Sequence, residues 1–186
     1  LGGADALADC SYAITATASS SSSSLQRTPI APATPGRTHQ EARNTSAFAA
    51  LKDDGSVVTW GRATAGGDSS SVSSQLQSGV SQIFSNHFAF AALKNDSSVV
   101  IWGDSRYGGD SSSVSNKLQS GVNNIFSSSY AFAALKNDGS VVTWGHSNFG
   151  GDSSSVSGQL QSGVSKIFST GSAFAALKND GSVVTW

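Results

Sequence analysis

Histidine, aspartate, glutamate and serine are the side chains of this sequence that could transfer a proton, bind a metal ion or attack a substrate. The three histidines, His39, His87 and His146, occupy unrelated positions and suggest no shared ligand set. Glu41 is the single glutamate, so a catalytic carboxylate pair would need aspartates alone. No serine lies in a Gly-x-Ser-x-Gly elbow with a base nearby. We therefore predict no catalytic residues, no cofactor and no enzyme activity.

One aspartate follows a Gly-Gly pair in each of three places, at Asp68, Asp110 and Asp152. A ring of such carboxylates could bind calcium, but calcium takes six or more oxygen ligands and only serines follow each aspartate. We interpret the three as turn residues that accept backbone N–H groups, and we predict no metal site. A lysine also recurs near an aspartate, which is typical of a solvated strand end and not of a phosphate site. These lysines are Lys52, Lys94, Lys136 and Lys178.

Charge and apolar content exclude several classes of partner. The 11 lysines and arginines balance the 12 acidic residues to a net charge of −1, so neither nucleic acid nor an anionic membrane is a predicted partner. No apolar run approaches the roughly 20 residues that cross a bilayer. The single cysteine, Cys10, excludes a disulfide within the chain.

A fixed period of 42 residues organises the sequence, because the same phrase ends in a tryptophan each time. The four copies end at Trp60, Trp102, Trp144 and Trp186. Within each copy, an apolar run and a β-branched run flank a three-residue turn, which predicts a β-hairpin. The turn ends in glycine except at Ser97, where we expect slight strain. A third strand is predicted at 80–84, 122–126 and 164–168, and a loop, short edge strand or helical turn elsewhere.

The hairpin strands carry apolar residues at both alternating positions, so both faces of each sheet must be covered. Stacked blades of a β-propeller provide such an environment. We therefore predict an all-β fold of tandem repeats that form blades of an incomplete β-propeller, with an open β-solenoid as the alternative. Open blade edges would permit self-association.

The stretch from Ala134 to Asp152 resembles the repeat of the regulator of chromosome condensation family, in a short form. The matching positions are Leu135, Asp138, Gly139, Val141, Trp144, Gly145 and Gly150. The resemblance implies a β-propeller, a cytoplasmic or nuclear location, and a role as an exchange factor for a small GTPase, as a module of a HECT-class ubiquitin ligase, or as a scaffold.

The predicted domain boundary follows a change in composition. Residues 1–45 hold a serine run and all three prolines, which predicts a disordered linker. The absence of acidic residues from 11 to 40 is also typical of an organellar targeting segment. The repeat domain is predicted at 46–186, with units at 47–88, 89–130 and 131–172 and a partial unit at 173–186. We expect the chain to be a piece of a longer protein.

Two segments per unit differ between copies, and we expect them to be loops that bind a partner, with sequence drift as the competing explanation. One follows Trp-Gly and the other precedes the apolar strand. The candidate binding residues are Arg62, His87, Asp104, Arg106, Tyr107, Tyr130, His146, Asn148 and Phe149.

The function that we predict is a non-enzymatic scaffold that binds a protein of unknown identity. One alternative is a piece of a larger HECT-class ubiquitin ligase or of a small-GTPase exchange factor. Another is a secreted or surface structural repeat, for which the Asn-x-Ser/Thr triplets at Asn44 and Asn95 would be glycosylation sites.

Overall fold

The computed structural model describes residues 40–186, which form four three-stranded antiparallel sheets. The first blade contains β1 (Gln40–Arg43), β2 (Ala47–Leu51) and β3 (Val57–Gly61). The second contains β4 (Val80–Ser85), β5 (Ala89–Lys94) and β6 (Val99–Gly103). The third contains β7 (Val122–Ser127), β8 (Ala131–Lys136) and β9 (Val141–Gly145). The fourth contains β10 (Val164–Ser169), β11 (Phe174–Lys178) and β12 (Val183–Thr185). The predicted all-β fold of tandem blades is confirmed.

Each segment between blades forms two short 3₁₀ turns, which is one of the three forms predicted for it. The first turn of each pair is followed by a glycine with positive φ. A buried leucine lies at the end of the second turn: Leu76 and Leu118 directly follow the turn, and Leu160 is its last residue. The turns span Ala63–Ala65, Ser70–Gln75, Ser105–Tyr107, Ser112–Lys117, Ser147–Phe149 and Ser154–Leu160.

The blades do not coincide with the units of the sequence, because each blade takes its first strand from the preceding unit. β4 lies in the unit 47–88, yet it pairs with β5, which opens the unit 89–130. Residues 173–186, predicted as a partial unit, therefore complete a fourth blade together with β10.

The same offset places β1 in the first blade, although its residues belong to the predicted linker 1–45. Arg43 pairs with Phe48 and Gln40 with Leu51, so the repeat domain includes residues ahead of its predicted start at 46. The rest of the predicted linker, and all but the last residue of the predicted targeting segment 11–40, lie outside the described residues.

The hairpin turns have the backbone that their sequences predict. Gly55, Gly139 and Gly181 have φ of 77°, 76° and 83°, a region of backbone conformation in which residues with a side chain are strained. Ser97 occupies the same position in the second blade with φ of 65°, as expected for a slightly strained turn.

Side chains alternate along the strands so that each blade has two different apolar faces. In the second blade, Phe90 and Trp102 lie on one side, which we call the aromatic face. Ala89, Ala91 and Leu93 lie on the other, which we call the alanine face. The aromatic face of each later blade packs on the alanine face of the blade before it, and this junction occurs three times.

A hydrogen bond and a close approach hold each junction in place. The Trp102 indole N–H donates to the Gly66 carbonyl at 3.0 Å, and the Phe90 ring stacks on the indole at 5.3 Å between centroids. A Cβ on Gly66 would lie 2.6 Å from the Phe90 ring, so the loop must have glycine there. Trp144 and Trp186 donate in the same way to Gly108 and Gly150.

Two of the described apolar faces are not covered by another blade. On the aromatic face of the first blade, Phe48 and Trp60 are 43% and 46% exposed, whereas Phe90 and Trp102 are almost fully buried. On the alanine face of the fourth blade, Phe168 and Val183 are 58% and 60% exposed.

We expect Gly66→Ala to lower the free energy of unfolding by about 2–4 kcal/mol, because the new Cβ is strained at positive φ and overlaps Phe90. Gly158→Ala is the matched control, since no atom lies within 4 Å of its Cβ position. Its effect should stay within about 0.5 kcal/mol. Urea titrations followed by tryptophan fluorescence compare the two, and equal midpoints would show that the glycine contact does not hold the junction.

Candidate interaction surface

Both variable segments of each unit lie at one end of the blades. In an antiparallel sheet the first strand ends, the second begins and the third ends at the same edge. The turn between the first and second strands therefore lies beside the loop that follows the third strand. We call this edge the variable rim. The hairpin turns with their recurring lysine and aspartate lie at the opposite edge.

The loop after the third strand is capped by a residue that differs in every unit. The Asp104 carboxylate accepts from the Arg106 backbone N–H at 3.0 Å, and His146 Nδ1 accepts from the Asn148 N–H at 3.3 Å. Arg62 stands at the equivalent position without a side-chain bond of this kind. The residue that caps this 3₁₀ turn can therefore differ between units, because the turn forms with an aspartate, a histidine or an arginine at the cap position.

A buried polar side chain ties the two variable segments together. Asn86 accepts from the N–H groups of Phe88 and Ala89 and donates to the Tyr107 carbonyl at 2.6 Å. In the first blade, Asn44 makes the equivalent bond to Ala65 at 2.7 Å. The Asn44 amide, a glycosylation candidate in the sequence, therefore has a structural role in the fold.

Six rings from both segments come together on the variable rim, which we call the aromatic rim cluster. Five are half-buried and one, His87, is exposed. The members are His87, Phe88, Tyr107, Tyr130, His146 and Phe149.

Tyr130 is the centre of this cluster because its ring contacts all five others. Its centroid lies 4.5 Å from that of Phe149 and 4.9 Å from that of Tyr107. The His87 ring meets it edge-on at 5.2 Å, which is a favourable geometry for aromatic pairs. The cluster spans the second and third blades' share of the rim. The equivalent positions of the first blade hold the small residues Thr45, Ser46 and Ala65, with Arg62 at the position of His146.

Asp104 and Arg106 form an ion pair at the border of the cluster. The guanidinium donates through Nε and Nη2 to the two carboxylate oxygens at 3.0 and 2.8 Å. It also lies 5.2 Å from the Tyr107 ring centroid, within range of a cation–π interaction. The Arg106 side chain is 74% exposed and that of Asp104 only 14%, so the arginine presents its charge to solvent while its position is held.

The ion pair shifts the pKa of each partner in the direction that favours its charged form. The pKa of Asp104 is lowered, mainly by the hydrogen bond from Arg106, with the Arg62 charge as a smaller contribution. The pKa of Arg106 is raised by the same hydrogen bond. Both groups are therefore charged over the whole neutral range.

Seven of the nine candidate residues thus lie in or beside one surface. Tyr107, Tyr130, His146, Phe149 and His87 are members of the cluster, while Asp104 and Arg106 flank it. Arg62 acts on Asp104 through its charge alone, and Asn148 contributes its backbone N–H to the cap. Phe88 and Asn86 were not among the candidates. Their signal in the sequence was their place beside His87 in the variable segment.

The aspartates that follow Gly-Gly accept backbone bonds, as the turn interpretation predicts. Asp68, Asp110 and Asp152 each accept the N–H of the serine two residues later, at 2.9, 2.8 and 2.9 Å. Within residues 40–186, no group of three or more histidines, cysteines, aspartates or glutamates is placed to hold a metal ion. No helix in that range is long and apolar enough to cross a membrane.

Comparison with known proteins identifies the architecture. No protein-family model and no curated protein matches the chain. Yeast RCC1 (Prp20), solved with Kap60, superposes with a TM-score of 0.50 at 14% identity, over 79% of this chain and 43% of that one. The blades therefore have the fold of the RCC1-type β-propeller, which confirms the fold implied by the sequence resemblance and favours it over an open β-solenoid.

Two further structures resemble the chain less closely in fold. Human WBSCR16 has a TM-score of 0.46 and 23% identity over 82% of this chain and 48% of that one. A second structure of Prp20p from Saccharomyces cerevisiae, studied for binding to Gsp1p and histones, has a TM-score of 0.48 and 18% identity, over 78% of this chain and 42% of that one. The chain spans less than half of each of these proteins.

We expect Arg106→Gln to raise the pKa of Asp104 toward its ordinary value, because the charged hydrogen bond that stabilises the carboxylate is lost. The folded-state pKa of Asp104 is depressed, so the stability from this pair is present above the unfolded pKa. It is lost as the pH falls through the folded one. A ¹³C NMR titration of the Asp104 carboxyl measures the shift, and Lys117→Gln serves as a control with the same loss of charge. An Asp104 pKa that is the same in both variants would contradict the assignment.

Proposed function

We propose that the protein is a non-enzymatic interaction scaffold and that the aromatic rim cluster with Arg106 is its protein-binding surface. The observation that carries the proposal is the convergence of the variable positions on Tyr130. Residues that differ between otherwise repeated units are brought into contact with each other on one rim, instead of being scattered over the blades.

The residue types of the cluster support protein binding. Tyrosine and arginine are enriched among the residues that dominate binding energies, and half-buried rings lose little conformational freedom when a partner covers them. Arg106 is held by Asp104 before any partner arrives, which lowers the entropic cost of using its remaining N–H groups.

The scaffold beneath the rim also supports the proposal. Backbone hydrogen bonds run between the turns of successive blades, from the His87 N–H to Ser129 and from the Ser129 N–H to Gly171. A groove of about 540 Å³ lies along these turns and includes His87 and Arg43 in its wall. The partner that fits this surface is a protein segment that places apolar side chains on the rings and an acidic or carbonyl oxygen at Arg106.

The alternatives drawn from the family resemblance are less specific. The likeness to yeast RCC1 concerns the fold, and one fold hosts many activities. An exchange-factor or ubiquitin-ligase role would depend on parts of a longer protein, and a secreted structural role would be seen as glycan on Asn44 or Asn95. The aromatic rim cluster belongs to none of these alternatives in particular.

The test compares capture of proteins from the source organism by three forms of the chain. In the rim variant, His87→Ser and Arg106→Ser remove two exposed side chains and leave the five half-buried rings in the chain. In the control, Lys117→Ser and Gln119→Ser remove one positive and one polar side chain near the opposite edge. A partner of this surface should bind the wild type and the control about equally and the rim variant about tenfold or more weakly.

Purified candidates from the capture are then titrated against all three forms by calorimetry. Partners that bind the rim variant as tightly as the wild type would refute the rim as the binding surface. A wild type that retains no protein more than the control beads would refute the scaffold function.

A further inference from the structure

We propose that a polar groove on the first blade, at the edge opposite the variable rim, binds a neutral sugar ring through the buried hydroxyl of Ser56. The groove has a volume of about 420 Å³. One wall belongs to the hairpin turn at 52–57 and the other to the segment 69–77, which includes the second 3₁₀ turn. Val57 and Leu76 add apolar surface to these walls.

The Ser56 hydroxyl is a buried polar group that the fold leaves unsatisfied. It has no hydrogen-bond partner among residues 40–186, although Ser56 is only 9% exposed and lines the groove. The backbone N–H of the same residue is satisfied, since it donates to the Asp54 carboxylate at 2.8 Å. Buried hydroxyls without a partner are rare, because they lose their bonds to water and gain none in return. A ligand oxygen in the groove would supply the missing bond.

The equivalent serines of the other three blades differ from Ser56, because their hydroxyls are bonded within the hairpin turn. Ser98, Ser140 and Ser182 each donate through Oγ to the aspartate two residues earlier, at 2.6 Å. The first blade also has this aspartate, Asp54, so the residue types alone do not explain the difference. Among the four described blades, the first is therefore the one whose groove presents an unsatisfied hydroxyl.

A groove of the same composition lies on the third blade, with a volume of about 700 Å³. Every residue that lines the first groove has a residue of the same type, two repeats later, in the wall of the third. The third groove is also bounded by Ser113, Val114 and Lys117, which belong to the segment ahead of its blade. A preceding segment therefore leaves this kind of groove open. Both volumes lie in the range of about 300–1,000 Å³ that is typical of small-molecule sites.

Hydrogen bonds fix the two walls of the groove relative to each other. The Val57 N–H donates to the Leu76 carbonyl at 2.8 Å, which joins the hairpin to the end of the 3₁₀ turn. The hydroxyls of Thr59 and Ser69 are 2.9 Å apart and hold the start of the same turn. Because the walls are formed in advance, little conformational freedom remains to be lost when a ligand binds.

The charges in the groove offset each other, which disfavours a charged ligand. Lys52 and Asp54 bring one positive and one negative group to the same wall. In the third groove, the pKa of Asp138 is lowered, mainly by the hydrogen bonds from Ser140 and also by the charge of Lys136. A phosphate would be repelled by the aspartate and a cation by the lysine, so neither gains much from the site.

The remaining groups match the two kinds of surface on a sugar ring. The hydroxyls of Ser56 and Ser73 and the amide of Gln77 can each donate and accept, as the neighbouring hydroxyls of a sugar do. The apolar surface of Val57 and Leu76 can cover the C–H groups of the ring. Water alone would satisfy the polar groups and leave this apolar surface without a partner.

The experiment is a ¹H–¹⁵N NMR titration of the 186-residue chain with the methyl glycosides of glucose, galactose, mannose and N-acetylglucosamine. At least one glycoside should shift the amide signals of Ser56 and Gln77, with saturation at millimolar concentrations. Val141 and Gln161 report on the third groove. Their signals should saturate at about tenfold higher concentration, because the Ser140 hydroxyl is already bonded. Inorganic phosphate at the same concentrations should shift neither set of signals.

Three substitutions separate the role of the hydroxyl in binding from its role in the fold. Ser56→Ala removes an unpartnered hydroxyl, so it should weaken glycoside binding about tenfold and leave the urea midpoint unchanged or higher. Ser78→Ala is the matched control and should change neither quantity, because Ser78 is exposed and does not line the groove. Ser140→Ala removes a bonded hydroxyl and should lower the midpoint.

Each part of the proposal has a result that would overturn it. If no glycoside shifts the signals of the first groove, the groove holds water only. Equal glycoside affinity of Ser56→Ala and the wild type, or equal saturation of the first and third grooves, would show that the Ser56 hydroxyl does not bind the ligand. Larger shifts with phosphate than with every glycoside would show that the ligand is an anion. None of these results would affect the rim surface, which lies at the opposite edge and is tested by capture.

Discussion

The contact on which the fold depends is the bond from the indole of one blade to a glycine carbonyl of the blade before it. It satisfies the one polar group of a buried tryptophan, and it also sets the distance between blades, because the phenylalanine beneath the indole rests against that glycine. Small alanines on the facing sheet then admit the rings without a void. The rest of the junction, including the buried valine and isoleucine of the first strand, packs around this point.

The sequence predicted those parts of the fold that depend on local chemistry. Glycine at the hairpin turns, β-branched runs and apolar residues on both faces each have a physical reason to form strands and turns in stacked sheets. It did not predict which strands share a blade. The apolar strand at 80–85 lies between two hairpins, and a repeating sequence cannot show which one it joins. Pairing across the unit boundary is decided by long-range packing, and the same uncertainty placed Gln40–Arg43 in the linker.

The sequence predicted most of the residues of the candidate surface, but it did not predict which of them contact each other. Variation between copies indicated the two loops, since loops on a rigid scaffold can change without cost to the core. The focus on Tyr130 could not be foreseen, because it joins loops from different units. Asn86 was not among the candidates, because its place beside His87 does not reveal that its side chain connects two backbone segments. The residues that repeat in every unit thus form the junctions between blades, whereas the residues that vary contact each other on the variable rim.

The offset between blade and unit has a consequence for how such an array can change in evolution. Because every blade straddles two units, a recombination event that duplicates or deletes one full period leaves a complete first strand beside a complete hairpin, wherever the breakpoints fall. Whole blades can be gained or lost without an unpaired strand ever being made. Unequal crossing-over between nearly identical copies is therefore tolerated at the level of strand pairing. The number of blades can then change while each remaining blade keeps its three strands.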